Sequence, residues 1–297
     1  MPEPATESPS PSLTDQARDL PLDSHIHTRF SPDSSVAIDD YASQAVGRGI
    51  AEIAITDHVD FDPTAPAYDY VPFADRERTV RDAAERWAEK GVAIRFGVEI
   101  TYDSRFEEEI RDHLGHHAYD FVIGSVHVYA DSPFHISRVA SWVAGKPLAD
   151  VVAPYFSEVE RAIRSGLFDA VGHLDFVKRY LHPHVTAAML GDAPELYEPL
   201  LAALVETGTA LEVNTSGLRQ AARETYPSAA IVARYQVLGG TRLSAGSDAH
   251  TLETFTSGLA EGYRVAAAAG FADLTFRRGG APVAVTVPDR FVKPGET

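Results

Sequence analysis

Seven short apolar runs, each closed by a polar or ionisable residue and followed by a helical pattern, limit what this chain can fold into. The runs predict strands over 22–27, 52–57, 93–99, 120–127, 169–173, 210–214 and 242–247. Between them the apolar spacing predicts helices over 38–48, 73–90, 105–116, 148–165, 193–206 and 227–238, with a last one over 256–269. Gly49, Gly91, Gly166 and Gly208 stand just past helical stretches, where a left-handed cap is expected. Strands that alternate with helices build right-handed βαβ units on a parallel sheet. Seven such units in one run suit a closed (β/α)7 barrel better than an open sheet. The segment 274–287 is expected to form a small terminal hairpin or cap, and the Pro-rich stretch 62–72 a loop excursion after the second strand.

The 297 residues suffice for one large barrel or two smaller domains, and no interdomain linker is visible. The expected division is a disordered Pro/Ser-rich tail over 1–17 and one α/β catalytic domain over 18–297. No apolar run is long enough to span a membrane, and the acidic start is unlike a secretory signal, so a cytoplasmic, membrane-free protein is expected. A net charge of −17 argues against nucleic acid as a partner, because phosphate backbones need a basic surface. With no cysteine, thiolate chemistry and Cys-type zinc sites are excluded, and any metal must sit on His, Asp and Glu. The oligomeric state is not legible.

The histidines then become informative. In a parallel barrel, chemistry collects at the carboxyl ends of the strands. Of twelve histidines, His25, His27, His58, His127, His173 and His250 fall at or just past strand ends. The third strand ends in Glu99 and the sixth in Asn214. Taken alone, His58 also reads as a buried histidine satisfied by Asp57, and His173 carries the same ambiguity. The spacing of His25 and His27 recurs in Asp248 and His250, and side chains two apart on a strand share a face. Adding Asp33, on the loop after the first strand, gives nine candidate metal residues: His25, His27, Asp33, His58, Glu99, His127, His173, Asp248 and His250. That is too many for one ion, and it fits two or three divalent ions of the kind that hydrolyse phosphate esters. Mixed His/carboxylate sites accept Zn, Mn or Fe according to supply.

The motifs Asp23-Ser24-His25-Ile26-His27-Thr28, Thr56-Asp57-His58, Gly97-Val98-Glu99, Gly124-Ser125-Val126-His127, Gly172-His173-Leu174-Asp175 and Gly246-Ser247-Asp248-Ala249-His250 resemble those of the PHP (polymerase and histidinol phosphatase) family. The resemblance implies a distorted (β/α)7 barrel. It implies one ion on His25, His27, Glu99 and Asp248, a second bridged by Glu99 to His127 and His173, and a third on Asp33, His58 and His250. Some relatives carry His at the position of Asp33, which leaves that third site open. Glu99, Asp248 and His250 would stand at the catalytic centre. The histidinol-phosphate phosphatase branch is the most similar, implying hydrolysis of L-histidinol phosphate. Another small phosphomonoester or a nucleotide, or a non-catalytic metal-binding module, are the alternatives. Arg179 or Lys178 would grip the substrate phosphate, the other reading being a surface pair; Arg219 is a further candidate. Asn214 and Ser216 either bond the substrate or cap the following helix.

Overall fold

The computed structural model describes residues 18–128, 132–135 and 137–292. Eight parallel strands are formed: β1 (Leu22–Ile26), β2 (Glu52–Ile55), β3 (His58–Val59), β4 (Ala93–Thr101), β5 (Phe121–Ser125), β6 (Ala170–Val171), β7 (Ala210–Asn214) and β8 (Leu243–Gly246). Their order is β1-β2-β4-β5-β6-β7-β8. The short β3 continues the position of β2 along β4: Ile55 pairs with Phe96, and His58 with Glu99. Seven positions therefore surround one axis. Closure comes from the two ends, where Ile26 bridges Ala249 and the N–H of Asp248 donates to the carbonyl of His25 at 2.8 Å. The result is the distorted (β/α)7 barrel, as one domain.

The strands expected over 52–57 and 169–173 both end early, for reasons visible in the structure. The former breaks at Thr56-Asp57, because the Asp57 carboxylate accepts from Thr28 N at 2.6 Å, Thr28 Oγ1 at 2.8 Å and Ser31 Oγ at 2.9 Å. Those bonds pull the chain towards the loop after β1. The strand at 169–173 shrinks to β6 because His173 turns into positive φ. The helices follow their apolar stripes: Leu148–Arg164 buries Val151, Val152, Tyr155, Phe156, Val159, Ala162 and Ile163, one face at helical period. Each such large side chain contributes about 1.5–3 kcal/mol on burial. Gly49 caps Ile38–Arg48 at φ 68°, and a Cβ there would lie 2.3 Å from Asp19 Oδ1. Short helices at Val139–Val143, Val177–Leu181 and Ala187–Gly191 were not expected from the pattern.

The terminal hairpin is present: β9 (Asp273–Arg277) pairs antiparallel with β10 (Pro282–Thr286). It covers the amino ends of the strands, with Phe276 against Phe121 and Arg278 on Glu52, and leaves the carboxyl ends open. Among the described residues no helix is long and apolar enough to cross a membrane. The tail expected over 1–17 lies outside the described residues.

Candidate metal centre

β1 sends His25 and His27 towards the open end of the barrel while Ile26 enters the core. Their Nε2 atoms stand 3.0 Å apart. Nδ1 of His25 meets Glu212 Oε1 at 2.6 Å; an ionised carboxylate only accepts, so that nitrogen carries a proton. Nδ1 of His27 lies 3.1 Å from Ser31 Oγ. The hydroxyl proton of Ser31 goes to Asp57, so its oxygen accepts from the ring. With both rings neutral, each Nε2 presents a lone pair, and the two lone pairs converge.

Glu99, at the matching depth on β4, lies among these rings. Its Oε1 is 2.9 Å from His173 Nε2 and 3.6 Å from His127 Nε2. Its Oε2 is 2.9 Å from His58 Nδ1 and 3.4 Å from both His25 and His27 Nε2, yet it is buried with no directed hydrogen bond. Asp248 Oδ1 stands 3.4 Å from His27 Nε2. Asp33 Oδ2, on the exposed side, is 3.1 Å from His250 Nε2 and 3.5 Å from His58 Nε2. All nine residues singled out in the sequence are thus brought together. Three sets hold donor atoms within 4.8 Å of one another: His25, His27 and Asp248; His27, His58 and His250; His58, Glu99 and His127.

The electrostatics favour cations. Burial opposes charge on Glu99, but His25, His58 and His127 hold its carboxyl well below the usual range. Asp248 is held low in the same way, against its burial, chiefly by His25 and His27. Burial likewise opposes charge on His25, which Glu212, Glu99 and Asp248 nevertheless raise well above an ordinary imidazole. His27 goes the other way, lowered by burial and by the charges of His250 and His58. The pocket needs positive charge, supplied either by protons or by metal ions. Imidazole nitrogens, bridging-capable carboxylates and the orphaned Glu99 Oε2 form a donor set that fits divalent ions.

A second layer holds the first. The Glu212 carboxylate takes His25 Nδ1, the N–H of His173 at 2.8 Å and Asn214 Nδ2 at 3.0 Å. Thr101 Oγ1 sits 2.9 Å from Nδ1 of His127. His173 and Asp248 adopt φ of 24° and 53°, uncommon for residues with a Cβ; Glu212 holds the N–H of the first, and Arg219 donates to the carbonyl of the second. Gly246 leaves the room: a Cβ there would lie 2.3 Å from His25 Cβ and 2.9 Å from Glu212 Oε1. Glu212, Ser31 and Thr101 were missed in the sequence. The available signal for Glu212 was a carboxylate inside an apolar strand, two residues before Asn214 and so on the same face.

The cluster forms one wall of a cavity of about 580 Å³, also lined by Asp60, Phe134, Phe176, Arg179, Tyr180 and His182. Arg179 lies at this mouth, but the four other expected substrate contacts, Lys178, Asn214, Ser216 and Arg219, require correction. Lys178 is buried, with Nζ 2.5 Å from Asp175 and 2.6 Å from Glu224, because neighbours on a helix point about 100° apart and its side chain turns into the protein. Asn214 accepts from Ser216 N at 3.0 Å and from its hydroxyl at 2.6 Å. That pair is buried, caps the turn Thr215–Arg219 and orients Glu212. Arg219 is absent from the cavity lining. Its Nη2 donates to the carbonyls of Ser247 at 2.8 Å and Asp248 at 2.6 Å, whereas Nη1 is buried with no partner among the described residues.

Known proteins are similar to this chain in sequence and in fold. The "Probable histidinol-phosphatase" of Deinococcus radiodurans is 31% identical over 233 residues, covering 77% of this chain and 85% of its own length. The "Histidinol-phosphatase" of Lactococcus lactis is 27% identical over 239 residues, covering 77% and 84%. The crystal structure of histidinol phosphate phosphatase from Lactococcus lactis, solved with zinc, L-histidinol and phosphate, has the same fold. It superposes with a TM-score of 0.74 at 24% identity, covering 87% of this chain and 97% of that one. The model of the PHP domain matches residues 23–216, and the chain belongs to that family.

Proposed function

We propose that this chain is a metal-dependent phosphomonoesterase that hydrolyses L-histidinol phosphate to L-histidinol and phosphate. The carrying observation is the cluster around Glu99, which opens onto a cavity with Arg179 at its mouth. The relatives named above support the substrate, since the similarity extends over most of their length. The reading has two or three ions, of Zn, Mn or Fe. His25, His27, Glu99 and Asp248 would hold one; Glu99, His127 and His173 a second; Asp33, His58 and His250 a third. When bound, divalent ions supply a water of lowered pKa and offset charge on the phosphoryl oxygens.

The remaining work falls to the chain. Glu212 and Ser31 keep Nδ1 of His25 and His27 protonated, so that Nε2 faces the centre. Arg179 offers a planar fork to the phosphate, and Phe134, Phe176 and Tyr180 wall off solvent. Hydrolysis places the oxygen of water on phosphorus, breaks the P–O ester bond and leaves a proton on the departing alcohol.

The test is phosphate release from L-histidinol phosphate, AMP and simple alkyl phosphates by the purified protein, before and after chelation and with Zn, Mn or Fe restored. L-Histidinol phosphate should be the preferred substrate, and chelation should abolish turnover. Full activity in protein shown to be metal-free by elemental analysis would overturn the proposal, as would a better rate on AMP.

A further inference from the structure

Among the described residues four carboxylates line the cavity: Asp33, Asp60, Glu99 and Asp248. Three of them belong to the cluster. Asp60 does not, and the hydrolytic reading gives it no role. It follows directly on β3, so His58 and Asp60 project to the same face while Val59 turns away. In an extended chain they are separated by roughly 6–7 Å along the backbone. The Asp60 carboxylate is close enough to His127 for its charge to act on that ring. It is also pre-positioned. Oδ2 accepts from the N–H of Ala67 at 3.0 Å, and the backbone of Asp60 bridges that of Tyr68, pinning the loop to the strand end. With a relative exposure of 9%, Asp60 offers a negative charge in a largely dry wall.

We propose that Asp60 is an ammonium subsite, selecting phosphate monoesters that carry a protonated amine two carbons from the ester oxygen. This rests on the phosphomonoesterase reading, which places the phosphate against the cluster and Arg179. An ammonium entering such a cavity loses hydration and needs a charged acceptor. L-Histidinol phosphate carries its amine at that carbon, separated from the reacting phosphorus by one oxygen and two carbons. The same carboxylate repels esters whose organic part is negatively charged and gains no partner from those whose organic part is neutral. Asp60 is thus a specificity residue and no part of the hydrolytic step.

The experiment compares 2-aminoethyl phosphate with ethyl phosphate, which differ in the ammonium alone, alongside L-histidinol phosphate, on metal-loaded wild type and Asp60→Asn. The wild type should prefer the amine-bearing ester. In Asp60→Asn the ratio of kcat/KM between the two esters should collapse by roughly 10- to 150-fold, the range of one charge-assisted contact. L-Histidinol phosphate should lose a similar factor, mainly in KM. An unchanged ratio overturns the proposal, whatever the absolute rates, and so does a wild type indifferent to the amine. A fall in metal content with the ratio preserved would assign Asp60 to the cluster and overturn it equally. A collapse of the ratio in a protein that does not cleave L-histidinol phosphate would uphold the subsite and sink only the substrate named above.

Discussion

Glu212 accepts the Nδ1–H of His25 across 2.6 Å inside the barrel, on the side of the ring facing away from the cluster. The same carboxylate holds the backbone N–H of His173, so one buried charge orients two parts of the centre. Glu212→Gln keeps the shape and removes the charge. It should weaken metal binding or kcat/KM by about 10- to 100-fold, as loss of an outer partner does elsewhere. Zinc titration and steady-state kinetics of the variant measure this. Wild-type values for both would reduce Glu212 to a packing residue.

Glu99 is the residue common to most of the contacts, with five ring nitrogens within 3.6 Å of its two oxygens. Glu99→Gln should cost at least one metal ion per chain and lower kcat by roughly a thousandfold, through lost electrostatic stabilisation at the reacting centre. Elemental analysis beside kcat decides. Full metal content with near-normal kcat would show a structural carboxylate.

Arg179 and Lys178 are adjacent in sequence and opposite in consequence. Arg179→Ala should lower kcat/KM on the phosphate ester by about 10- to 150-fold without changing metal content, and Lys at that position should restore only part. Lys178→Ala should instead lower stability by roughly 3–5 kcal/mol, because it strands the buried Asp175 carboxylate. Denaturant melts and kinetics on the two variants should give opposite patterns. A Lys178 variant with normal stability and a raised KM would reverse the assignment.

His113 provides a pH test away from the centre. Burial, with His117 and Arg76 nearby, lowers it from the ordinary 6.5 to about 4. As pH falls from 6.5 towards 4 the unfolded chain takes up a proton that the folded chain refuses. Stability is therefore lost over that window and levels off below it. The loss is on the order of 2 kcal/mol after allowance for partial solvent screening. In chelator, wild type should lose that much more stability than His113→Gln between pH 7 and 4.5. Parallel curves would refute it.

Much of the centre was legible because its signals are local. His25 and His27 share a face by the period of a strand, whatever the rest of the chain does, Asp248 and His250 repeat that spacing, and Glu99 and His127 are marked by closing apolar runs. The seven-strand rhythm, the left-handed cap at Gly49 and the terminal hairpin are local in the same sense.

The remainder depended on contacts between residues far apart in the chain. Nothing in 177–181 tells which of Lys178 and Arg179 faces the cavity; Glu224, some 46 residues on, captures Lys178 and leaves Arg179 at the mouth. Glu212 reads as an oddity in an apolar strand until barrel closure brings it to His25, 187 positions away. The break that frees His58 from β2 likewise needs Asp57 to meet Thr28 and Ser31. Residue type and short-range period determine which side chains share a face of a strand. Which buried charge finds which partner is decided only by closing the sheet, since the desolvated group must pair with whatever the fold brings within reach.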